Sequence, residues 1–226
     1  MLNTATHDYR VSKVFAIAIG MSAIAGFINS IMLIEFGLPV SQMTGIASHL
    51  SDSGFHFDWK PFMISLSILL SFIVGAFLSG FIIGHSQYKE DKSYGVALFL
   101  NAVILTVAGV MAYSVNLLAL MFSALACGLQ NAMVASYKGL QIRTTHVTGI
   151  TTDIGVSIAH RFRTRTPLTW KNWLLFAILL GFILGGLIGI FSFQWFGYLS
   201  LLLPAALNAL LAWIYFHSLI RKRSPS

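Results

Sequence analysis

Two short polar segments interrupt an otherwise apolar chain and hold the residues best suited to bind a solute. The first reads Ser-Gln-Met-Thr-Gly over residues 41–45, and the second reads Thr-His-Val-Thr-Gly over residues 145–149. Their hydroxyl, amide and imidazole groups can exchange hydrogen bonds with a polar solute. If a short helix begins at Thr44 and another at Thr148, their free N–H groups favour an anion or a carboxylate. The alternative is that these Ser and Thr residues only cap surface helices.

Two asparagines add amide groups to the same candidate site. Asn29 precedes the first segment and Asn131 precedes the second, each several residues before the end of an apolar stretch. A polar side chain inside a membrane span costs free energy and is often functional. The two amides either line a central cavity or bond across a helix interface, and both interpretations stay open. The predicted solute-binding residues are Asn29, Ser41, Gln42, Thr44, Gly45, Asn131, Arg143, Thr145, His146, Thr148 and Gly149.

Three titratable residues are candidates for carrying a coupled proton. His49 and Asp153 each lie five residues after the threonine of a Thr-Gly pair, and Glu35 lies near the end of the first apolar stretch. A carboxylate or an imidazole beside a membrane cavity can exchange a proton during transport. The alternative is that all three are hydrated residues at the membrane interface.

Catalysis and metal binding receive little support from the sequence. The chain has no G-x-S-x-G, H-E-x-x-H, P-loop or G-x-G-x-x-G motif. Its single cysteine, Cys127, excludes an internal disulfide framework and a cysteine-based metal site. An intramembrane enzyme would have to depend on Asp153 and His146, which share one helical face. We therefore predict a protein that is not an enzyme, uses no cofactor or metal, and binds no nucleic acid.

The elements that position these residues follow from the composition. The chain is 57% apolar and only 9% charged, whereas a typical soluble domain is roughly a quarter charged. A helix needs about 20 apolar residues to cross a bilayer core of about 30 Å. Six charge-free windows reach that length or approach it, which predicts an all-α integral membrane protein with six transmembrane helices embedded in lipid. The windows are Val14–Ile34, Phe62–Ile83, Val96–Tyr113, Leu117–Tyr137, Leu174–Phe193 and Tyr198–Phe216.

The distribution of basic residues predicts the orientation. In a six-span model every Lys and Arg except Lys60 falls on one side of the membrane. Basic loops stay on the cytoplasmic side, so both termini are predicted to be cytoplasmic. An alternative with eight spans makes Val40–Phe57 and His146–Phe162 cross the membrane, and it separates the basic residues less completely.

The two halves of the chain resemble each other. Asn131 follows Asn29 by 102 positions, and the Thr-Gly pair at 148–149 follows the pair at 44–45 by 104 positions. This pattern predicts a repeat over residues 11–113 and a second over residues 115–217, within one membrane domain, residues 1–226. Three spans per repeat is an odd number, so the second repeat must be inverted, as in many secondary transporters. Each Thr-Gly segment is then a re-entrant or broken piece after the first helix of its repeat, and the two segments approach from opposite faces.

These motifs resemble those of a known family. The stretches Asn-Ser and Ser-Gln-Met-Thr-Gly in the first half, with Leu-Gln-Asn-Ala and Thr-His-Val-Thr-Gly in the second, are similar to the YoaK family of bacterial membrane proteins. The resemblance extends over residues 11–217. It implies a multi-pass protein of the bacterial inner membrane, and it implies no particular substrate or reaction.

The predicted function is a permease for a small polar or anionic solute, with its site between the repeats. Without a domain for ATP, transport would run downhill or use an ion gradient, and proton coupling is one option. The alternative is a membrane sensor or assembly module that transports nothing. Glycines spaced for close helix packing predict helix contacts within the chain or in a homo-oligomer. They are Gly80, Gly84, Gly181, Gly185 and Gly189.

Overall fold

The computed structural model describes residues 11–84, 92–114, 116–135 and 144–223. Over these ranges the regular structure is entirely helical, with eight α-helices and one 3-10 turn, Gly197–Leu201, between the last two. The helices are α1 Val11–Phe36, α2 Met43–Phe55, α3 Trp59–Ile83, α4 Lys92–Met111, α5 Asn116–Ala135, α6 Val147–Thr164, α7 Trp170–Phe196 and α8 Leu202–Arg223.

Five stretches of the described residues are long and apolar enough to cross a membrane. Four of them lie within α1, α3, α4 and α5, and the fifth, Trp170–Ile220, contains α7, the 3-10 turn and α8. This fifth stretch of 51 residues is broken at Gly197, whose φ is +55°. As one straight helix it would be more than twice as long as a bilayer core of about 30 Å is thick. The prediction of an all-helical, multi-pass membrane protein is confirmed at this level.

The two short helices contain the Thr-Gly pairs. At about 1.5 Å per residue, the 13 residues of α2 span about 20 Å, too little to cross a bilayer. Neither α2 nor α6 is among the candidate spans in the described ranges. Both helices begin one residue before the predicted threonines, at Met43 and Val147. The reason is that the carbonyls of Gln42 and His146 already accept helical hydrogen bonds, from the N–H groups of the residues four positions later.

The apolar windows located the long helices but not all of their ends. The window that starts at Tyr198 begins too early, because Tyr198 lies in the 3-10 turn and α8 starts at Leu202. The positive φ of Gly197 ends α7 and prevents the helix from continuing. The window that starts at Val96 begins too late. The helix α4 starts four residues earlier, at Lys92, because polar residues can still be helical at the membrane surface. The predicted end at Tyr137 lies outside the described residues.

The first close contact between long helices is the crossing of α1 and α7. A Cβ atom built on Gly26 would overlap the carbonyl group of Phe182, and one built on Gly185 would overlap the backbone of Ala23. Glycine is therefore required at both positions for the two backbones to approach. The predicted glycine spacing in α7 thus serves a contact inside the chain, while Gly80 in α3 has open space around it. A homo-oligomer through these helices stays a prediction.

The second crossing, of α3 and α5, has the same construction. A Cβ atom on Gly75 would overlap the carbonyl group of Leu125, and one on Gly128 would overlap that of Phe72. The two crossings use corresponding positions of the two halves. Gly128 in α5 follows Gly26 in α1 by 102 positions, and Gly185 in α7 follows Gly75 in α3 by 110 positions. The remaining long pair, α4 and α8, also packs together.

Candidate functional site

The first Thr-Gly segment is fixed to the helix that precedes it. Gly37, with a φ of +70°, ends α1 and lets the chain turn back. Four residues later, the Ser41 N–H and Oγ–H both donate to Oδ1 of Asn29, at 3.0 and 2.9 Å. Asn29 lies seven residues before the end of α1, which corresponds to about 10 Å along the helix. The N-terminus of α2 is therefore held well inside the helix assembly.

The second segment reaches inward from the opposite end of α1. The carbonyl oxygen of Thr144 lies 3.3 Å from Oγ of Ser22, which donates mainly to the carbonyl of Ile178 at 2.8 Å. Ser22 is eleven residues after the start of α1, about 17 Å along that helix. Only seven residues, about 10 Å, separate Ser22 from Asn29. The two segments therefore end close to each other near the middle of α1.

A cavity of about 310 Å³ lies where the segments meet. Its lining consists of six pairs of residues, one member of each pair from either half of the chain. The two members of a pair are separated in the sequence by 102 positions for the asparagines, 104 for the segment residues and 110 for the phenylalanines. The pairs are Asn29 and Asn131, Ser41 and Thr145, Gln42 and His146, Met43 and Val147, Thr44 and Thr148, and Phe72 and Phe182.

Two helix N-termini border this cavity. Gln42 occupies the N-cap position of α2 and His146 that of α6, and neither side chain makes a capping hydrogen bond. The first N–H groups of a helix have no partner within the helix, and each helix N-terminus carries about half a positive charge. Because Thr44 and Thr148, in the first turns, line the cavity, these donors are available to a bound anion or carboxylate.

The glycines of the Thr-Gly pairs do not line the cavity. A Cβ atom on Gly149 would lie 2.5 Å from the imidazole ring of His146, and one on Gly45 would lie 3.3 Å from Cγ of Pro39. Both glycines therefore make room for residues just before their helix. They position the cap residues, and a direct contact with a solute stays a prediction.

The proton-coupling candidates lie away from the cavity lining. Glu35 accepts a hydrogen bond of 2.6 Å from the Tyr198 hydroxyl, while His49 and Asp153 are exposed on α2 and α6. Among the described lining residues, His146 is the one titratable side chain. Arg143 lies outside the described residues. The proposed roles of all these residues stay predictions, as does solute binding by the lining residues.

Sequence reasoning missed the two phenylalanines of the lining. Phe72 and Phe182 lie near the middle of α3 and α7, where an aromatic residue in an apolar run carries no signal of its own. Each precedes a glycine of a helix crossing, Gly75 or Gly185, by three positions. Comparison of the two halves at an offset of 110 pairs these phenylalanines, but it gives no reason to select them among the 18 phenylalanines of the chain.

The two segments differ in how their polar atoms are paired. Oδ1 of Asn131 is buried and has no hydrogen-bond partner in the part of the chain that the structure describes, whereas Oδ1 of Asn29 has two. The Thr144 hydroxyl is likewise buried and unpaired, and its counterpart in the first half is the buried Val40. Within the described ranges, no group of three or more His, Cys, Asp or Glu residues could hold a metal ion.

Comparison with known proteins identifies a family but no characterised relative. A model described as "Protein of unknown function (DUF1275)" matches residues 17–214. Neither the curated proteins nor the solved structures give a match. The resemblance to the YoaK family, a DUF1275 membrane protein family, is confirmed. Since the match covers most of the sequence, this membrane-embedded helical chain belongs to the DUF1275 family.

Proposed function

We propose that this protein is a permease for a small polar or anionic solute, which binds in the cavity between two inverted repeats. The observation that carries the proposal is the cavity lining. Six positions of one half and their six counterparts in the other surround a single space, beside two uncapped helix N-termini. Secondary transporters with inverted repeats bind their substrates in such a place, between the repeats and near the membrane midplane.

The helix crossings support the inverted repeats. The α1–α7 and α3–α5 crossings have glycines at corresponding positions, and each crossing joins one helix from either half. The α4–α8 pair is antiparallel, because Gly95 at the start of α4 approaches Phe216 near the end of α8, while Gly109 approaches Leu201 beside the start of α8. Helices related by inversion should pack in this way. We propose six spans, counting α7 and α8 separately, with repeats over residues 11–113 and 115–217.

The orientation proposed for these six spans follows the basic residues. All of them except Lys60 lie on the side of the termini, which would be the cytoplasmic side of a bacterial inner membrane. Lys60 is next to the start of α3. In this orientation the first segment enters from the outer face and the second from the cytoplasm.

The size and chemistry of the cavity limit the solute. A volume of about 310 Å³ is at the lower end for ligand pockets and equals roughly ten water molecules in the liquid. The helix N-termini and the hydroxyls of Thr44 and Thr148 supply hydrogen-bond donors to the cavity. No permanently charged side chain is found among the described lining residues. This combination suits a monovalent anion or a neutral polar solute rather than a multivalent ion.

Proton coupling would involve one of three titratable residues outside the cavity lining. Glu35 lies near the end of α1, and His49 and Asp153 are exposed on α2 and α6. His146, at the cavity and at the N-cap of α6, is instead a hydrogen-bonding partner for the solute.

Solute flux into liposomes tests the proposal. Purified protein would be reconstituted and offered small monocarboxylates, inorganic monovalent anions and small neutral polar solutes, and uptake of at least one above protein-free liposomes is expected. The double variant Thr44→Val with Thr148→Val removes two cavity hydroxyls at nearly constant volume. It should reduce that uptake by about thirtyfold, since each hydrogen bond contributes about 1 kcal/mol. The control is Thr106→Val in α4, where the hydroxyl bonds to the Ala102 carbonyl away from this cavity.

Two results would contradict the proposal. One is the absence of uptake together with no solute-dependent change in the melting temperature. The other is an uptake that Thr44→Val and Thr148→Val leave unchanged. Solute binding without any flux would instead support a sensor.

A further inference from the structure

Asn29 and Asn131 occupy corresponding positions at the cavity but differ in the hydrogen bonds of their side-chain oxygens. Asn29 is 6% exposed, and its Oδ1 accepts two hydrogen bonds from Ser41, which is also buried. Asn131 is half-buried, and its Oδ1 is out of contact with water yet has no partner within the described ranges. Thr145, the counterpart of Ser41, lines the same cavity and is half-buried too. The first segment is therefore fastened to the preceding helix by two hydrogen bonds that have no counterpart among the described residues of the second.

An unpaired acceptor at this point needs an explanation. Buried polar atoms in proteins nearly always have a partner, and one that lacks it in one conformation can gain it in another. The Thr144 hydroxyl, adjacent to Thr145, is buried and unpaired as well. Asn131 lies in the helix before the second segment and Thr144 directly precedes that segment. The second segment is thus the less stably held of the two.

Inverted repeats offer a conformation in which the pairing is reversed. When two halves have the same sequence elements but different conformations, exchange of those conformations opens the site to the opposite side of the membrane. Applied here, the exchange would give Asn131 the two hydrogen bonds that Asn29 now has. Ser41 would then separate from Asn29.

We propose that Asn29 and Asn131 are alternating latches for the two re-entrant segments. In the state described, Asn29 Oδ1 holds the Ser41 N–H and hydroxyl, and in the opposite state Asn131 Oδ1 holds those of Thr145. The inference rests on the proposed function, since the exchange is the conformational step that a permease with inverted repeats requires. Both states keep one segment fastened, so that the cavity does not open to both sides at once.

Hydrogen–deuterium exchange in the segment around residues 37–42 tests the latch. Asn29→Ala removes both bonds of Ser41, so exchange there should be faster by about 25-fold, since each bond changes the equilibrium by roughly fivefold. Asn131→Ala removes the bonds of the opposite state, in which Ser41 is free. Exchange around Ser41 should therefore become slower by a similar factor.

A matched control is Asn208→Ala in α8. Asn208 is fully buried and donates to the Pro204 carbonyl, and its Oδ1 is unpaired like that of Asn131, but it does not line the cavity. It should leave exchange around Ser41 unchanged. Should Asn29→Ala fail to fold, Ser41→Ala removes one of the two bonds and should accelerate exchange by about fivefold.

The decisive observation is whether Asn29→Ala and Asn131→Ala change the exchange rate around Ser41 in opposite directions. If Asn131→Ala leaves exchange around Ser41 as Asn208→Ala does, or accelerates it, the latch is wrong even if the liposomes take up solute. If the signs are opposite but no solute moves or binds, the latch stands and the permease function fails. The protein would then have a two-state rearrangement that serves another purpose.

Discussion

The two Thr-Gly segments have similar residue patterns but are stabilised differently. Each brings a helix N-terminus to the cavity, with a polar cap residue at Gln42 or His146 and a threonine in the first turn. The first is fastened by two hydrogen bonds to Oδ1 of Asn29, whereas Oδ1 of Asn131 has no partner within the described ranges. Similar local sequences therefore produce the same element, and their surroundings determine how firmly it is held.

The helix crossings provide the opposite case, in which the halves are closely equivalent. Gly26 and Gly128 each place a Cα against a backbone carbonyl of a helix from the other half. Stability should therefore respond equally to changes at the crossings and unequally to changes in the segments. The following predictions test that distinction, from the largest expected effect to the smallest.

The largest effect is expected at the crossings. Gly26→Val and Gly128→Val should each lower the free energy of unfolding by more than about 3 kcal/mol, because the added side chain meets backbone that cannot move aside easily. Gly20→Val is the control, since a Cβ there has nothing within 4 Å. The measurement is the melting temperature in detergent. A tolerated substitution at one crossing only would mean that the halves are not equivalent in packing.

The next effect concerns Val40 and Thr144, the corresponding buried residues that directly precede the first and the second segment. Val40→Thr should destabilise the protein by about 2 kcal/mol, because it buries a hydroxyl in an apolar place. Thr144→Val should stabilise it by about 1 kcal/mol, because the lost hydroxyl has no partner. Chemical unfolding of both variants in the same detergent measures the change in the free energy of unfolding, which should be opposite in sign for the two. Destabilisation by Thr144→Val would show that its hydroxyl is paired.

A smaller difference is expected at the fastening residues. Ser41→Ala should lower the free energy of unfolding by about 1 kcal/mol, since the Oγ hydrogen bond to Asn29 is lost. Thr145→Val should change it by less than about 0.5 kcal/mol, because no hydrogen bond of the Thr145 side chain to Asn131 exists in the described state. Equal decreases in the free energy of unfolding for Ser41→Ala and Thr145→Val would show that the two segments are held equally firmly, and would contradict the prediction.

The smallest effect is expected at the glycines of the Thr-Gly pairs. Alanine is favoured over glycine in a helix by up to about 1 kcal/mol. Gly45→Ala should realise a few tenths of a kcal/mol of this gain, since only small shifts of Pro39 are needed. Gly149→Ala should gain nothing, because the His146 ring must move. A larger gain in melting temperature for Gly149→Ala than for Gly45→Ala would contradict this ranking.

Sequence patterns located the cavity residues but not their arrangement. The residues at 41–44 and 145–148 could be chosen because hydroxyl and amide groups stand out in an apolar chain, and because the two segments have the same order. Phe72 and Phe182 could not be chosen in this way, since 18 phenylalanines occur in the chain and an aromatic residue in a span suits lipid equally well.

The role of Ser22 was also beyond the sequence. Its hydroxyl lies between carbonyls from residues 144 and 178, which are far apart in the chain. Serine in an apolar helix more often bonds to its own backbone, as Ser67 does with the Met63 carbonyl. Nothing local distinguishes these two serines.

The sequence by itself determined that the chain is a multi-pass helical membrane protein with two matched polar segments. The reason is that a bilayer leaves backbone groups no partner outside their own helix, so long apolar runs have a single outcome. Tertiary structure alone decided that the segments meet at one cavity and that α7 packs on α1 and α5 on α3. It also decided that Oδ1 of Asn29 is paired while Oδ1 of Asn131 has no partner among the described residues. The helix pairs depend on contacts between residues far apart in the chain, such as Gly26 with Phe182 and Gly75 with Leu125. There, close packing and hydrogen-bond geometry, rather than local composition, select the partner.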